Sequence, residues 1–499
     1  MVRRRRVRHR LTVAAGVVAV LLVLVVIAVS AALPTTETLR SLSTPYLPFD
    51  LSTEPSAKKV LAHYMPNFPV SIDNKPSATD YYTAEYLSPT GEGGLHSSYG
   101  GYLRDRPLPR GPLADPDWRN LDLRTEISQA KSVGIDGFAV DVIMPRSPPS
   151  LWSDVPTRLL DTAAAQGNFT ILPTADMAGP LQGMSARDLA SEFAVYLRSP
   201  ASFRLEDGRP VLGAFYAEAK PAQFWRDVLT ALKDLIQLDV AFVPTFLDAP
   251  THLSDFAPFS YGFSTWGGRN PEAVPTVPAG QSYPVDLTRR SHALGKIWMQ
   301  SIAYQDSRPK SAQFEESQNG QTSRQAWQVA VQEQADWVQL VTWNDYSENT
   351  QFAPSLKSGW RLLDMNAYFI SLFKYGAAPE IVRDAVYVSY RTQPADAPMT
   401  YPESRPMRVV PGTPAARDSV ELVSFAVAPS TLRLHIGPET ASCDVPAGVG
   451  VCQFALRPGL IRASMWRGGN CVFTTMSTIP VTTAPLVQDL HYVLVGGLR

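Results

Sequence analysis

Eight short, almost wholly apolar runs recur between residues 60 and 342, and this repetition restricts the fold more than any other feature of the sequence. The runs are 60–64, 137–142, 169–172, 210–216, 240–246, 261–265, 296–300 and 338–342. Near-continuous apolarity is typical of strands that are buried on both faces. Such strands are usually parallel, because helices must cover both faces of the sheet.

Most gaps between the runs contain a segment with helical periodicity. These segments are 119–133, 159–165, 186–197, 222–236 and 324–335, and a further one, 360–373, follows the last run. Strands that alternate with helices predict parallel crossover units. Eight such units close most naturally into a (β/α)₈ TIM barrel, although the sixth and seventh are the least regular.

The pattern changes after residue 380. Short alternating strands are predicted at 385–390, 419–427, 432–436 and 451–456, with few helix signals between them. A Pro-rich stretch, 393–417, carries six prolines and cannot continue a central strand or helix. We therefore predict an α/β barrel domain over residues 58–378, followed by a small β-sandwich over residues 379–499.

The N-terminus combines basic and apolar sequence. Six of the first ten residues are arginines, and residues 11–33 contain only two polar side chains, Thr12 and Ser30. This length of apolar sequence predicts a transmembrane or signal-anchor helix, with the arginines on the cytoplasmic side. A cleaved signal peptide is the alternative, because 28–32 offers small residues for cleavage. Either way, residues 34–57 are predicted to be a tether, and the body of the protein to be extracytoplasmic.

The overall composition excludes several classes of protein. The formal net charge is −1 over 499 residues, so the chain lacks the basic surplus of a nucleic-acid-binding protein. Cys443, Cys452 and Cys471 allow one disulfide and one free thiol, and the sequence leaves the pairing open. There is no C-x-x-C, H-E-x-x-H or G-x-S-x-G motif, so neither a metal site of that spacing nor a serine nucleophile elbow is predicted.

Polar and aromatic residues follow each of the eight predicted strands. In a barrel of this kind the C-terminal ends of the strands form one rim, which usually holds the active site. Acids, amides and aromatic rings suit a sugar, with its hydroxyl groups and apolar faces. Each residue alone could be a helix cap, a core histidine or simple packing. The candidate substrate-binding residues are His63, Tyr64, Asn67, Asp141, Asp176, Tyr216, Glu218, Trp266, Gln300, Trp343, Asn344 and Tyr346, with Asp248 and Tyr304 beside them.

Asp345 and Glu348 are the candidate catalytic pair. Two carboxyl groups supply the acid and the base of glycoside hydrolysis. An odd spacing would place the two side chains on opposite faces of an extended strand, so the strand is expected to stop near Asn344. The alternative is a capping acid beside an unrelated surface acid. The spacing does not separate the retaining from the inverting mechanism, which differ in the distance between the carboxyl groups.

Three segments resemble motifs of glycoside hydrolase family 71, the endo-acting α-1,3-glucanases or mutanases. The segments are 59–65 (Lys-Val-Leu-Ala-His-Tyr-Met), 134–139 (Gly-Ile-Asp-Gly-Phe-Ala) and 341–346 (Val-Thr-Trp-Asn-Asp-Tyr). The resemblance runs over residues 58–375. It implies an inverting hydrolase that needs no cofactor, with Asp345 as the base that activates water and Glu348 as the acid. It also implies a place for Asp176 in the glycone site.

The resemblance weakens around Glu348. The family usually has Gly at the position of Ser347 and Ser-His at 349–350, where this chain has Asn-Thr. The run 348–354 (Glu-Asn-Thr-Gln-Phe-Ala-Pro) instead resembles family 99, the endo-α-mannosidases and mannanases, which has Glu at the position of Asp345. We expect an α-glucan polysaccharide and the membrane as partners. An α-mannan hydrolase and a non-catalytic glycan-binding protein of the cell envelope remain as alternatives.

Overall fold

The computed structural model describes residues 46–52, 54–274 and 284–499. The eight apolar runs form the strands of one closed, all-parallel barrel, as predicted. They are β1 Lys59–Tyr64, β2 Gly137–Val142, β3 Thr170–Asp176, β4 Val211–Phe215, β5 Ala241–Phe246, β6 Gly262–Thr265, β7 Ile297–Ile302 and β10 Trp337–Leu340. β1 closes the barrel because it pairs with both β2 and β10. A short hairpin, β8 Asp306–Arg308 and β9 Gln313–Glu315, lies between β7 and β10 in the chain.

Eight helices of the described residues alternate with the barrel strands. They are α1 Trp118–Lys131, α2 Val155–Gln166, α3 Ala186–Leu197, α4 Ala222–Ile236, α5 Ala249–Phe256, α6 Pro284–Ala293, α7 Gln321–Gln332 and α8 Arg361–Tyr375. The sequence pattern predicted all of these except α5 and α6. An apolar stripe faces the core in α4, where Trp225, Val228 and Leu232 are buried.

Side chains alternate between the interior of the barrel and the helices outside it. Leu61, Ala139, Leu172 and Met299 come from different strands and pack together in one buried cluster inside the barrel. Residues next to them in sequence, such as Phe138, pack instead in the cluster shared with the helices. The next inward positions toward the C-terminal ends of the strands are polar, so the interior changes from apolar to polar toward its mouth.

The C-terminal part consists mainly of two four-stranded antiparallel sheets, as predicted. One has the order β16 Gly448–Ala455, β13 Ser419–Ala426, β11 Ala385–Tyr390 and β19 Val493–Gly496, and the other β15 Glu439–Val445, β14 Ser430–Ile436, β17 Ile461–Arg467 and β18 Asn470–Met476. Val388, Leu422 and Leu434 belong to the core between them. Cys443 and Cys452 are disulfide-bonded and join β15 to β16, whereas Cys471 is free and exposed.

The first of these sheets also packs on the barrel. Phe425 contacts Tyr368 of α8 and Phe49, with ring centroids 5.4 and 5.6 Å away. Leu47 and Phe49 are buried in the same core, so these residues belong to the packed body and not to the tether predicted over residues 34–57. The Pro-rich stretch contributes β12 Arg408–Val409, which adds to the β8–β9 hairpin as a third strand.

The apolar segment predicted to be a transmembrane or signal-anchor helix, residues 11–33, lies outside the described residues. In the ranges that are described, no helix is both long and apolar enough to cross a bilayer.

Candidate active site at the mouth of the barrel

The chain turns sharply after β10 and carries both candidate acids in the acid-bearing turn, residues 343–350. The Thr342 N–H donates to the Thr350 carbonyl at 3.0 Å, and the Thr350 N–H donates to the Asp345 carbonyl at 3.1 Å. The strand therefore ends before the two acids. This is what their spacing predicted, because in an extended strand their side chains would lie on opposite faces. Asp345 and Glu348 lie on one turn, and the Glu348 N–H donates to Asp345 Oδ1 at 3.1 Å.

Asp345 is buried, but hydrogen-bond donors surround one of its oxygens. Besides the Glu348 N–H, its Oδ1 accepts from the Ser347 N–H at 2.9 Å and from the Ser347 hydroxyl at 2.7 Å. Burial raises the pKa of the Asp345 carboxyl above its usual value, and these hydrogen bonds oppose the rise. Donors that point at a carboxylate favour its ionised form. The turn therefore orients this carboxyl and stabilises its negative charge.

Glu348 has a different environment. Its Oε1 pairs with Arg308 Nη1 at 2.9 Å, whereas its buried Oε2 has no hydrogen-bond partner among the described residues. Burial and the neighbouring Asp345 charge raise the pKa of Glu348 to about 8, even though Arg308 acts to lower it. A carboxyl of this kind holds a proton at neutral pH and can donate it.

Arg308, which is partly buried, belongs to a group that we call the ionic wall, together with the buried Arg269 and Asp306. The Arg308 guanidinium donates to both oxygens of Asp306, at 2.7 and 2.5 Å, and Arg269 Nε lies 3.5 Å from Asp306. The backbone fixes the wall to the acid-bearing turn, because the Ser307 N–H donates to the Glu348 carbonyl at 2.9 Å. The pair with Asp306 and the backbone hydrogen bond of Ser307 thus together fix the position of Arg308 relative to Glu348.

The remaining large side chains of the turn are directed away from the acids. The Trp343 ring is fully buried, and its Nε1–H donates to Glu126 of α1 at 3.1 Å. Asn344 accepts from the Met65 N–H and donates to the carbonyls of Met65 and Phe68, which fixes the loop after β1. Tyr346 is buried against Phe68. These residues, predicted to bind substrate, hold the turn in place instead.

His63, Asp141, Asp176 and Trp266 are on neighbouring parts of the barrel mouth. His63 Nε2 lies 3.6 Å from Asp141 Oδ1, and the His63 ring meets the Trp266 ring edge-on at 4.9 Å. Burial and the nearby Asp141 charge raise the pKa of Asp176 to about 7. The Ala178 N–H donates to Asp176 Oδ1 at 2.8 Å. The structure therefore brings these four predicted residues together.

Glu218 and the residues around it organise neighbouring loops at the same rim. Glu218 Oε1 accepts from the backbone N–H groups of Leu247 and Asp248, both at 2.7 Å, and so connects the loops after β4 and β5. Tyr216 begins the short turn after β4, with a left-handed φ of 52°. Asp248 immediately precedes α5 and accepts from the Thr251 hydroxyl. Asp248 is therefore in the position of a residue that ends a loop and begins a helix.

Three predicted polar residues do not reach the mouth. Tyr64 faces the helices, where its hydroxyl donates to Glu126 at 2.8 Å. Gln300 lies on the outer face of β7 and accepts from Trp298 Nε1 at 2.9 Å. Tyr304 donates to Ser389 of the C-terminal sheet at 3.0 Å. Tyr64 and Gln300 are each one residue away from an inward-facing position of their strand, so their side chains point outward. Tyr304 lies beyond the end of β7. The polar group of each therefore forms a hydrogen bond that supports the fold.

The sequence patterns missed Tyr102 and the ionic wall. Tyr102 comes from the long insertion after β1 and packs against the cluster of Phe68 and Tyr346 beside the acid-bearing turn, where burial and the Asp345 charge raise the pKa of its hydroxyl. Arg269 follows β6, and Asp306 and Arg308 are in the hairpin after β7. An arginine next to an acid in the loop after a barrel strand is a signal that could have identified Asp306 and Arg308. Nothing local in the sequence marks Tyr102.

Several buried polar atoms at the mouth have no hydrogen-bond partner within the described part of the chain. They are His63 Nε2, Asn67 Oδ1, Asp141 Oδ1, Glu218 Oε2 and Glu348 Oε2. Buried polar groups in native proteins are nearly always paired, so a group of exceptions in one place calls for an explanation. Donors and acceptors of these kinds match the hydroxyl groups of a sugar. No group of three or more His, Cys, Asp or Glu among the described residues could hold a metal ion.

A closed parallel barrel with two acids on the turn after its last strand, set among polar atoms available to hydroxyl groups, belongs to the class of glycoside hydrolases. The family assignment agrees. The sequence model of Glycosyl hydrolase family 71 matches residues 115–491, well over half of the chain, and the chain belongs to that family.

The chain is similar to proteins from two fungi. A mutanase from Penicillium rubens is 24% identical over 408 residues, which cover 77% of this chain and 86% of the mutanase. The ascus wall endo-1,3-alpha-glucanase of Schizosaccharomyces pombe is 22% identical over 368 residues, covering 67% of this chain and 81% of that enzyme. Among solved structures, the family 99 endo-alpha-mannosidase of Bacteroides thetaiotaomicron aligns with a TM-score of 0.48 and 16% identity, over 64% of this chain and 98% of that one.

Proposed function

We propose that this protein is an extracytoplasmic, endo-acting hydrolase that cleaves α-1,3-glucan with inversion of configuration. The observation that carries the proposal is the difference between two acids on one turn, Asp345 with its oxygen held by three donors and Glu348 with an unpaired oxygen. Family membership and the substrates in the names of the two fungal relatives support the choice of polymer.

Asp345 acts as the general base in this proposal, and Glu348 as the general acid. A water molecule attacks the anomeric carbon while Asp345 takes its proton, and the bond from that carbon to the bridging oxygen breaks. Glu348 gives its proton to the leaving oxygen, so that both products are neutral sugars. Asp345 ends protonated and Glu348 ionised, and exchange of protons with solvent restores both. The raised pKa of Glu348, about 8, keeps the acid protonated at neutral pH.

The neighbouring residues supply binding for the glycone. Asp141, Asp176 and His63 present acceptors and a ring nitrogen at the mouth, and Trp266 presents an indole beside them. Groups of this kind recognise hydroxyl patterns and the apolar face of a pyranose ring. Their contacts place the sugar so that its anomeric carbon can meet the two acids.

An extracytoplasmic location fits both ends of the chain. Six arginines precede the apolar segment 11–33, the order expected when the following protein is exported. The Cys443–Cys452 disulfide suits an oxidising compartment. The printed name of the Schizosaccharomyces pombe relative refers to the ascus wall, and a wall polymer would be met outside the cell.

The test measures reducing ends released from α-1,3-glucan by the purified protein, and follows the anomer of the first product by proton NMR. Asp345→Asn and Glu348→Gln should each lose about 10²–10⁴-fold in rate while unfolding at the wild-type temperature. Asp227→Asn, an exposed acid on α4, is the matched control and should keep full activity.

Full activity in either acid variant would overturn the roles of the two residues. A first product that retains its configuration would overturn the inverting mechanism. The same assay on α-1,4-glucan and α-mannan tests the substrate, since turnover of mannan alone would replace α-1,3-glucan by the alternative polymer. Tight binding of glucan without turnover would make the protein a glycan-binding protein.

A further inference from the structure

The insertion between β1 and α1, residues 65–117, forms a rigid wall beside the acid-bearing turn. The Arg104 guanidinium is buried and donates to the carbonyls of Tyr99, Gly101 and Gln488, among others. Arg106 is equally buried and pairs with Asp80 at 2.7 Å. With Asn344 bound to its first residues, this insertion has one fixed position relative to the two acids.

The insertion is rich in tyrosines, and these fall into two groups. Tyr82 is fully buried and packs with Phe68 and Tyr346, so it serves the core. Tyr81, Tyr86 and Tyr102 are only partly buried, although Tyr86 and Tyr102 also pack against that cluster, and we call these three the tyrosine row. Their rings follow one another with centroids 5.1 Å apart from Tyr81 to Tyr86, and 4.9 Å apart from Tyr86 to Tyr102.

One end of the row lies at the candidate catalytic residues. Tyr102 packs beside Phe68, with ring centroids 6.2 Å apart, and Phe68 in turn meets Tyr346 of the acid-bearing turn at 6.3 Å. The charge of Asp345, together with burial, raises the pKa of the Tyr102 hydroxyl, which stays protonated. The row therefore starts beside the acid-bearing turn and continues through Tyr86 to Tyr81 within the insertion.

The ring orientations at both ends of the row are fixed by polar partners. The Tyr81 hydroxyl donates to Glu92 at 2.6 Å, and the other oxygen of Glu92 contacts His96 Nε2 at 2.5 Å. The His96 ring is stacked on Tyr102, with centroids 4.7 Å apart at an angle of 22°. A partly exposed ring that cannot rotate loses little entropy when a ligand covers it.

We propose that the tyrosine row is a binding track for successive sugar units of the α-glucan chain on one side of the bond that is cut. The proposal rests on the proposed function, because the occupant is the continuation of the same polysaccharide. Tyrosine combines an apolar ring with a polar tip, which suits a sugar's apolar face and hydroxyl rim. The row predicts that the enzyme gains affinity as the substrate lengthens, a property of an endo-acting enzyme.

The test compares soluble α-1,3-linked oligosaccharides of increasing length, from the shortest that the wild type cleaves. Tyr81→Ala and Tyr81→Leu remove the ring at the far end of the row, and Leu keeps an apolar side chain in case Ala disturbs folding. Each should raise the KM about three- to tenfold for long oligosaccharides and leave kcat and KM unchanged for the shortest. Tyr81→Phe, which keeps the ring, should remain near the wild type. Tyr46→Ala, a tyrosine that is 56% exposed elsewhere, is the control.

The two proposals fail in different ways. A wild-type protein that releases no product from any α-1,3-glucan would overturn the proposed function, and the track with it. Wild-type activity with the same kinetic change at every length, or with no change at any length, would overturn the track alone. Thermal unfolding of each variant separates loss of the ring from loss of the fold.

Discussion

The acid-bearing turn lies between two walls of opposite construction. The tyrosine row consists of neutral rings that are partly exposed and contact each other edge to face. The ionic wall consists of charges that are paired with one another, and Arg269 and Asp306 in it are almost fully buried. Rings at a surface can bind a ligand, whereas buried charges act on the protonation of their neighbours. We infer that the first wall affects substrate affinity and the second affects the acid itself.

The two walls also differ in what holds them. Asn344 and Arg106 fix the insertion that carries the tyrosine row mainly to the barrel and its loops, and Arg104 adds a contact with the C-terminal part, to the Gln488 carbonyl. The segment that carries the ionic wall is fixed to the C-terminal sheets, where the buried carboxylate of Glu316 accepts from Arg391 at 2.9 Å and from the Tyr492 hydroxyl at 2.7 Å. The C-terminal sheets are therefore part of the support for the proposed acid.

The largest effect is expected from removing that support. Glu316→Ala leaves the fully buried Arg391 without its carboxylate, and the free energy of unfolding should fall by about 3–5 kcal/mol, measured by chemical denaturation. Glu439→Ala breaks an exposed pair with Arg457 and should cost less than about 1 kcal/mol. Equal losses in the two variants would contradict the inference that the buried Glu316–Arg391 pair supports the segment carrying the ionic wall.

The next effect tests what the ionic wall does to the acids. Arg308 lowers the pKa of both Glu348 and Asp345, so Arg308→Met should raise both. The wild-type profile of kcat/KM should fall above about pH 8, where Glu348 loses its proton, and in the variant both limbs should move to higher pH. We expect kcat at neutral pH to fall about ten- to hundredfold. Arg308→Lys keeps the charge but not the planar fork, and should be intermediate.

If the acidic and basic limbs of the kcat/KM profile lie at the same pH in Arg308→Met as in the wild type, the ionic wall has only a packing role. A change of KM with substrate length in the same variant would also contradict the comparison, because length dependence is assigned to the tyrosine row.

The smallest effect on activity is expected from Glu126, and it tests which residue sets the basic limb of the kcat/KM profile. Glu126 lies behind Trp343, and burial raises its pKa to about 8 as well, so it titrates in the range of Glu348. Because this pKa is raised in the folded state, its contribution to stability is full below about pH 4.5 and is lost as the pH rises toward 8. Glu126→Gln cannot titrate, so its melting temperature should fall less over this range. The basic limb of kcat/KM should not move, and a limb that moved would assign it to Glu126.

The fold could be predicted from sequence because its dominant signal is local. The eight barrel strands are near-continuous apolar runs, and α3 and α4 have the predicted bounds. The predictions missed α5 and α6, because α5 has only eight residues and the α6 sequence mixes charged and apolar side chains without a wide stripe. In the C-terminal part, β15 and β18 are edge strands with mostly exposed side chains, so neither shows a regular alternation of apolar and polar residues.

The site was less predictable because it depends on direction and on distant loops. The two-residue period of a strand places Tyr64 on the opposite face from His63, and the same rule directs Gln300 outward from β7. A position near a strand end is therefore not sufficient to place a residue in the site. Its place in the two-residue period of the strand also decides whether the side chain points into the barrel. Tyr102 and Arg308 reach Glu348 and its neighbours from loops that no short motif connects to residues 343–350.

Side chains of the acid-bearing turn point in different directions, and this limits what its sequence motif can indicate about the activity of a related protein. Trp343, Asn344 and Tyr346 are needed for the architecture of the barrel and the loop after β1, so a relative that had lost activity would keep them under the same structural constraint. A search that scores all six positions equally would report such a relative as an enzyme. Under the roles proposed for Asp345 and Glu348, the information that distinguishes an active relative lies at positions 345 and 348, with arginine at position 308 as an independent check from another part of the chain.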